Sequence, residues 1–309
     1  MFYIFVLYFL AFFVRIIQQI SGDAMEKELF EQRLKKRGDD FWKYGKIYHH
    51  TNENFKGYIP NLEDKKVLTV SASGDHLLNC VGMGTTQIDT FDVNKYSPLY
   101  QDLKIYAVMF LSPDESLEFI KTLRYDLYLK FRDVLPDNVR GFFDFLYHNY
   151  SLYQINNFLF FECDIHPSEI NNYYDIDILN KIKDNLKYLK HNHYETNFFN
   201  MTDQITTTYD TIFLSNISHY VNPELFMNYL EYVSEYCLND NGEIYIAYIY
   251  NTHGIKSPID GLLHVSDKFK INKQTRDFAK KIEVVNFDCA EYSNCKDAVL
   301  VLKKQKTRD

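Results

Sequence analysis

The sequence has little glycine and little proline. Its 309 residues include 11 Gly and 7 Pro, which excludes a collagenous, linker-like or low-complexity chain. Basic residues are not in excess either, since 34 Lys and Arg stand against 42 Asp and Glu, a net charge of −8. We therefore expect no nucleic acid partner that is bound by neutralising its phosphates. Apolar side chains make up 46% and aromatic ones 17%, enough to bury the core of a globular protein.

Cysteine is also scarce. The chain contains Cys80, Cys163, Cys237, Cys289 and Cys295. None of them forms a C-x-x-C pair of the kind found in zinc sites, and a disulfide framework is not expected in a chain of this length. Small buried thiols and a cytoplasmic location are the better prediction. No metal site is expected, because His191 and His193 are at most half of one and are predicted to be a solvated pair.

The N-terminus is an uninterrupted apolar run over residues 1–14, after which Arg15 follows. A bilayer span needs about 20 residues, which the run reaches only if it extends through Arg15 to Ile20. Membrane association through residues 1–20 is therefore one interpretation and a signal peptide is a second. The third is that translation starts at Met25, because the codons of Gly22 and Asp23 can contain GGAG, a ribosome-binding sequence. We set residues 1–24 apart as a separate segment.

Strand-like and helix-like segments alternate along the rest of the chain. Strands are predicted at 66–71, 88–92, 194–199, 211–215, 243–250, 282–287 and 298–302. Helices are predicted at 26–45, 76–81, 94–110, most of 112–191 including 175–191, and from Asn222 onward. The alternation indicates an α/β fold, a mostly parallel sheet whose last strand is antiparallel. We predict a helical cap and lid loop at 25–65, then one domain over 66–309 with a helical insertion at about 112–191.

Small residues follow the first predicted strand, where a doubly wound sheet binds nucleotides. Ser71, Ala72, Ser73 and Gly74 would let a ligand approach the backbone, and a β-branched side chain at Gly74 should block it. The pattern contains a single glycine instead of G-x-G-x-x-G, so a plain tight turn explains it equally well.

An acidic residue ends the second predicted strand, about 20 residues further on. A carboxylate at Asp92 can accept hydrogen bonds from two adjacent ribose hydroxyls. The alternative is that Asp92 caps the next helix. Asn94 belongs to the same candidate site.

Two later stretches follow strands of the same sheet. Asp203 comes after the strand predicted at 194–199, where it could reach an adenine amino group or be an ordinary turn residue. Ser215 and Asn216 follow the next strand and would lie in front of a bound ligand. His219 and Tyr220 are candidate general bases there, unless they only precede the helix at Asn222.

Together these stretches resemble a known family. Residues 67–75 (VLTVSASGD), 91–94 (FDVN), Leu103-Lys104 and Ala107 resemble the motif series of the 3-amino-3-carboxypropyltransferases of betaine-lipid synthesis and their uncharacterised relatives, and 214–217 adds a match. Those enzymes use S-adenosylmethionine (SAM) on the class I methyltransferase fold, a Rossmann-like fold. The similarity is best over 66–111.

The resemblance implies a cofactor site. Ser71, Ser73, Gly74 and Asp75 would line the methionine and ribose part of SAM, and Asp92 would hold the ribose. Independently of the resemblance, residues 48–54 precede the first predicted strand and could fold over the ligand as a lid, with Glu53 at the SAM ammonium and Asn52 or Asn54 at its carboxylate. An ordinary polar loop explains this stretch equally well. Lys104 lies in a matching helix, although we expect a solvated lysine there.

The implied function is a SAM-dependent transferase that moves the 3-amino-3-carboxypropyl group to a lipid or small-molecule acceptor. Methyl transfer is the alternative reaction, because both start from the same sulfonium and differ in which carbon faces the acceptor. A binding or interaction module that kept the fold without catalysis is the alternative from another class.

Overall fold

Seven strands of the described residues form one sheet. The computed structural model describes residues 26–36, 39–161, 166–247, 279–288 and 296–304. The strands are β1 Ile47–Tyr48, β2 Lys66–Val70, β3 Gln87–Asp92, β4 Phe160–Phe161, β5 Lys190–Glu195, β6 Tyr209–Phe213, β7 Leu238–Ile246, β8 Ala279–Asp288 and β9 Lys296–Lys304. Their order in the large sheet is β5-β3-β2-β6-β7-β9-β8, and β1 pairs with β4 separately.

Five neighbouring strands of the sheet, from β5 to β7, are parallel, and β9 is antiparallel to both β7 and β8. The predicted fold class is therefore confirmed: the chain is α/β, with a mostly parallel, Rossmann-like sheet. The predicted antiparallel arrangement of the last two strands is confirmed as well.

Helices cover both faces of this sheet. They are α1 26–34, α2 Asp39–Tyr44, α3 Phe55–Tyr58, α4 Asp75–Gly82, α5 Ser97–Phe110, α6 Pro113–Thr122, α7 Tyr125–Tyr128, α8 Asp137–Asn149, α9 Leu152–Leu159, α10 Pro167–Ile170, α11 Ile176–Asn185, α12 Met201–Gln204 and α13 Pro223–Cys237. Short 3₁₀ turns lie at Arg132–Val134, Asn172–Tyr174, Leu186–Tyr188, Phe198–Asn200 and Ile217–His219.

The alternation of side chains along β2 shows how the sheet is held. Leu68 is fully buried in a core that includes Leu230 of α13, while its neighbour Val67 is buried in the opposite core with Val81 of α4 and Ile182 of α11. Because the strand is buried on both faces, its run of apolar and β-branched residues carries no polar face.

The helices between residues 97 and 159 build a third core beside the sheet. Phe30 of α1 enters it and makes edge contacts with Tyr96, Phe142 and Phe145. The pairing of β1 with β4 joins the segment before β2 to the end of α9. This third core therefore supports the chain that lies over the carboxyl ends of the strands.

Several predicted element boundaries are wrong. The helix predicted at 175–191 ends at Asn185, and the strand predicted at 194–199 is β5, which ends at Glu195. The residues of β5 read KHNHYE, without the apolar alternation that predicts a strand, and pairing with β3 decides its place. The single helix predicted at 26–45 is two helices, and residues 248–250 of the strand predicted at 243–250 lie outside the described residues.

No helix in the described part of the chain is long and apolar enough to cross a membrane. Residues 1–24, with the anchor, signal and Met25-start interpretations, lie outside that part.

The turn between β2 and α4 requires glycine for packing. Gly74 has φ +81°, and a Cβ atom added there would lie 2.9 Å from the Cα of Gln101 on α5. The backbone conformation and the neighbouring helix thus both select against a side chain at this position.

Replacing Gly74 with alanine should destabilise the protein. We expect Gly74→Ala to lower the free energy of unfolding by about 2–4 kcal/mol, from the left-handed backbone and the forced shift of α5. Urea denaturation measures it. Gly141 is the control, because it lies in α8 with nothing within 4 Å of an added Cβ, and Gly141→Ala should stabilise by roughly 0.5–1 kcal/mol. Equal stability of Gly74→Ala and the unmodified chain would contradict the close approach of α5.

Candidate functional site

A cavity of about 810 Å³ lies at the carboxyl ends of β2, β3, β5 and β6. Its walls come from the turns after these strands, from the segment 42–53 before β2, and from Phe161. At this edge the chain leaves β2 toward β3 on one side, while β6 lies on the other. Such a switch point is where open α/β sheets bind their ligands.

Part of the predicted site lines this cavity. The predicted residues found in its wall are Glu53, Ser73, Asp92, Asn94, Ser215, Asn216 and Tyr220. The wall also includes Asn52, one of the two asparagines considered for the lid. The structure thus brings together residues from four separate stretches of the sequence.

Other predicted residues lie elsewhere. Ser71 Oγ is 3.1 Å from His193 Nδ1, behind the turn. Gly74 packs against α5, so a side chain there would meet Gln101 instead of a ligand in the cavity. Asn54 caps α3 by accepting a hydrogen bond from the Gly57 N–H. His219 lies in a 3₁₀ turn, and its side chain is outside the described part.

Asp92 ties two turns of the cavity together. Its carboxylate accepts the N–H of Ala72 at 3.0 Å and the N–H of Asn94 at 2.9 Å. Burial raises the pKa of Asp92, against the lowering effect of these hydrogen bonds. The Ser97 side chain and the Val93 N–H interact with the same carboxylate, so a ligand hydroxyl would compete with protein donors for its acceptor sites.

The residues after β5 that reach the cavity are 196–199, not Asp203. Because β5 ends at Glu195, four residues before the predicted end, the polar side chains that follow it into the cavity wall are Thr196 and Asn197. Asp203 follows on α12 with an exposed side chain. The misplaced strand end therefore accounts for the prediction that Asp203 lies at this edge.

Glu53 and His76 form a buried pair in the cavity wall, and sequence reasoning missed the histidine. Glu53 accepts hydrogen bonds from His76 Nε2 at 3.0 Å, from Tyr58 OH at 2.8 Å and from Ser215 Oγ. Burial alone would raise the pKa of Glu53, but His76 and these hydrogen bonds bring it below its ordinary value. The second ring nitrogen of His76, Nδ1, is buried and has no hydrogen-bond partner among the described residues. No spacing in the sequence links positions 53 and 76.

Asp75 and Lys104 form an ion pair that water does not reach. Lys104 Nζ lies 2.6 Å from Asp75 Oδ1, and both side chains are 0% exposed. Burial alone would raise the pKa of Asp75, but the Lys104 ammonium lowers it below its usual value. The expected solvated lysine is therefore wrong, and Asp75 faces Lys104 instead of the cavity.

The same ion pair fixes the segment predicted to be a lid. Asp75 accepts the N–H of Thr51 at 2.6 Å and the hydroxyl of Tyr173 at 3.0 Å. Lys104 also donates to the carbonyl of His49 at 2.8 Å. Residues 49–51 are thus held against α4 and α5 by buried polar contacts, which positions Glu53 over His76.

His191 and His193 are not a solvated pair. They lie on one face of β5, where Thr90 Oγ1 is 3.0 Å from His191 Nε2 and 3.2 Å from His193 Nδ1. Gln101 contacts the same nitrogen of His191 at 3.1 Å. Burial lowers the pKa of each ring to about 4. Within the described ranges no cluster of His, Cys, Asp and Glu could hold a metal ion.

Removing the Lys104 charge should be costly. Lys104→Met leaves Asp75 buried without its cation, and we expect a loss of about 3–5 kcal/mol in the free energy of unfolding. Lys187→Met is the control, because it breaks an exposed ion pair with Asp184 and should change stability little. Chemical denaturation compares the two. A small effect of Lys104→Met would show that the pair is not buried.

The histidine pair should make stability depend on pH. Between pH 6.5 and 4 the two histidines are protonated in the unfolded chain but remain neutral in the folded one. The free energy of unfolding should therefore fall as the pH falls. Because both rings are partly exposed, we expect the pair to lower the free energy of unfolding over this pH range by on the order of 3 kcal/mol. Changing both histidines to Gln should weaken the pH dependence of the denaturation midpoint across this range. His148→Gln, at an exposed position, should leave that dependence unchanged. An unchanged slope in the double variant would refute the burial of these rings.

No protein-family model and no curated protein sequence matches this chain. Solved structures with similarity include a Listeria monocytogenes protein assigned as an S-adenosylmethionine-dependent methyltransferase, at 10% identity, TM-score 0.39, covering 82% of this chain and 96% of that one. An rRNA methylase from Streptococcus thermophilus has 8% identity and a TM-score of 0.33, covering 80% and 90%. Magnesium protoporphyrin IX methyltransferase from Synechocystis PCC 6803 with bound SAM has 8% identity and a TM-score of 0.34, and the match covers 79% of this chain and 72% of that one. At these scores the similarities assign no role to any residue of this chain.

Proposed function

We propose that this chain is a SAM-dependent transferase that acts on a small-molecule acceptor. The observation that carries the proposal is the meeting of two kinds of polar group in one cavity at the switch point. These are the Asp92 carboxylate and the Glu53–His76 pair with its unpartnered Nδ1.

The β3 and β5 side of the cavity suits the adenosine part of SAM. Asp92 lies in this part of the wall and would accept ribose hydroxyls by sharing or exchanging its bonds to the protein. Phe198 and Phe199 supply apolar surface for a base, and Asn197 supplies an amide beside them. The adenine ring of SAM has apolar faces and a polar edge, and this combination of aromatic rings and an amide matches both.

The β2 and β6 side suits the methionine part, which carries an ammonium and a carboxylate. Glu53 has a lowered pKa and is therefore ionised at neutral pH, which favours a neighbouring ammonium. The buried His76 Nδ1 needs a partner, because a buried polar atom without one costs about 1–3 kcal/mol. Either group of the methionine end can satisfy it, depending on the protonation of the ring.

The reaction type follows from which carbon faces the acceptor. When bound, SAM supplies a carbon activated by a sulfonium; a nucleophile that bonds to the methionine Cγ releases methylthioadenosine, and one that bonds to the methyl carbon releases S-adenosylhomocysteine. We propose aminocarboxypropyl transfer, on the resemblance of 67–75 and 91–94 to the betaine-lipid enzymes. Methyl transfer is the second candidate, since the same cavity would hold SAM for either reaction.

Tyr220 is the proposed proton acceptor at the cavity mouth, where an acceptor molecule would enter. Its side chain lines the cavity and is 54% exposed. Among the predicted general bases it is the one with a described side chain, and Tyr220→Phe tests it without changing the ring.

Losing the Asp92 carboxylate should weaken SAM binding. We expect Asp92→Ala to cost about 1.5–3 kcal/mol of affinity, as for hydrogen bonds to a charged group. Calorimetry with SAM measures this, and a thermal melt verifies that the variant is folded. Asp203→Ala is the matched control and should bind SAM like the unmodified chain. Equal affinities of a folded Asp92→Ala and this control would remove Asp92 from the ribose contact, and no binding to the unmodified chain would refute the proposal.

The adenosyl product identifies the reaction. The purified chain is incubated with SAM and with lipid or small-molecule extracts, and the products are identified by mass spectrometry. Methylthioadenosine supports aminocarboxypropyl transfer, and S-adenosylhomocysteine supports methyl transfer. SAM binding with neither product would favour a binding module that lacks catalysis.

A further inference from the structure

We infer that the cavity contains a separate acceptor subsite for a molecule with a planar ring and a negatively charged group. The inference rests on the proposed function, because it names the class of acceptor that the SAM-binding cavity would take. The wall formed by residues 42–48, Phe161 and Tyr220 carries it, and we call this wall the aromatic wall.

The aromatic wall contains two ring pairs. Trp42 and Tyr220 make an edge contact with centroids 5.3 Å apart, and both side chains are about half exposed. Tyr48 and Phe161 lie 5.2 Å apart with tilted planes. All four line the cavity, so a planar ligand bound there would meet aromatic side chains, against which rings favour offset or edge-to-face packing.

Two lysines of the same wall supply positive charge. Lys43 and Lys46 line the cavity with exposed side chains, and no ion pair joins either to a described carboxylate. The backbone between them is fixed, because Lys95 N–H donates to the Lys43 carbonyl at 2.9 Å and Asn94 Nδ2 donates to the Gly45 carbonyl at 3.1 Å. In a chain of net charge −8, two lysines held beside four rings favour an anionic ligand.

The acidic groups of the cavity lie in the other wall. Glu53 and Asp92 are the acidic residues among the described lining, and both already accept hydrogen bonds from the protein. One side of the cavity, at the strand ends, is therefore polar and acidic, whereas the aromatic wall is aromatic and basic. That division is expected where a cofactor and a second ligand bind side by side.

The size of the cavity limits the acceptor. At about 810 Å³ it lies in the upper part of the range for single ligand sites, roughly 300–1,000 Å³. Such a volume holds a cofactor and a compact ring-bearing molecule, whereas two long acyl chains would have to lie outside it. A ring-bearing anion thus fits the described wall better than a diacylglycerol.

The test uses the full chain and three small probes. These are 1-naphthoate, its neutral analogue 1-naphthalenemethanol, and octanoate, each titrated by calorimetry with and without saturating S-adenosylhomocysteine. Trp42 is the one tryptophan of the sequence, so its fluorescence reports directly on the wall. We expect 1-naphthoate to bind about tenfold more tightly than either other probe, because it alone has both the ring and the charge.

A lysine variant separates the subsite from the cofactor site. Lys43→Met with Lys46→Met should weaken 1-naphthoate about tenfold and leave SAM affinity unchanged. Lys35→Met, at an exposed lysine outside the cavity lining, is the matched control. A folded double variant that binds 1-naphthoate normally would overturn the assignment of the charge.

The remaining outcomes are also decisive. Equal binding of the three probes, or displacement of 1-naphthoate by S-adenosylhomocysteine, would overturn the inference while the proposed function stands. If neither SAM nor S-adenosylhomocysteine binds the unmodified chain, the proposed function itself fails.

Discussion

The ion pair of Asp75 and Lys104 is the contact on which the candidate site depends. Removing two charges from water costs several kcal/mol per ion, and a buried pair is tolerated only if further hydrogen bonds satisfy it. Here Thr51, Tyr173 and the carbonyl of His49 provide them. The pair thereby joins the turn after β2, helix α5 and the segment before β2, which are distant in the sequence.

The position of Glu53 follows from this arrangement. Thr51 is held by Asp75, and its hydroxyl accepts the Glu53 N–H at 3.1 Å. Glu53 then meets His76, which immediately follows Asp75 in α4, so that a charged cluster outside the cavity orients a polar pair inside it. The wall of the site is organised before any ligand arrives, which reduces the entropy that binding must overcome.

The features that the sequence could predict are those that depend on local pattern. The order of strands and helices, Asp92 at the end of β3 and Ser215 after β6 follow from apolar periodicity and the position of strand ends. The failures are non-local. The predicted end of β5, and with it the expected position of Asp203, is wrong because this strand lacks an apolar pattern and is defined by its pairing with β3. The sequence predicts a solvated Lys104 and gives no signal for His76, because their partners lie 29 and 23 residues away and no periodicity connects them.

The order of strands in the sheet also governs when the protein can fold. Asp89 of β3 bonds to Asn192 of β5 across 103 residues, and Lys66 at the start of β2 bonds to Asp210 across 144. Neither contact can form on the ribosome until the helices between residues 97 and 186 have been synthesised. Pairings between residues that are distant in the sequence slow folding, because the intervening chain must lose entropy before a stabilising contact can form. The outer edges of β2 and β3, with their unpaired N–H and C=O groups, consequently stay uncovered during synthesis, and this protein should depend on chaperones more than its final core suggests.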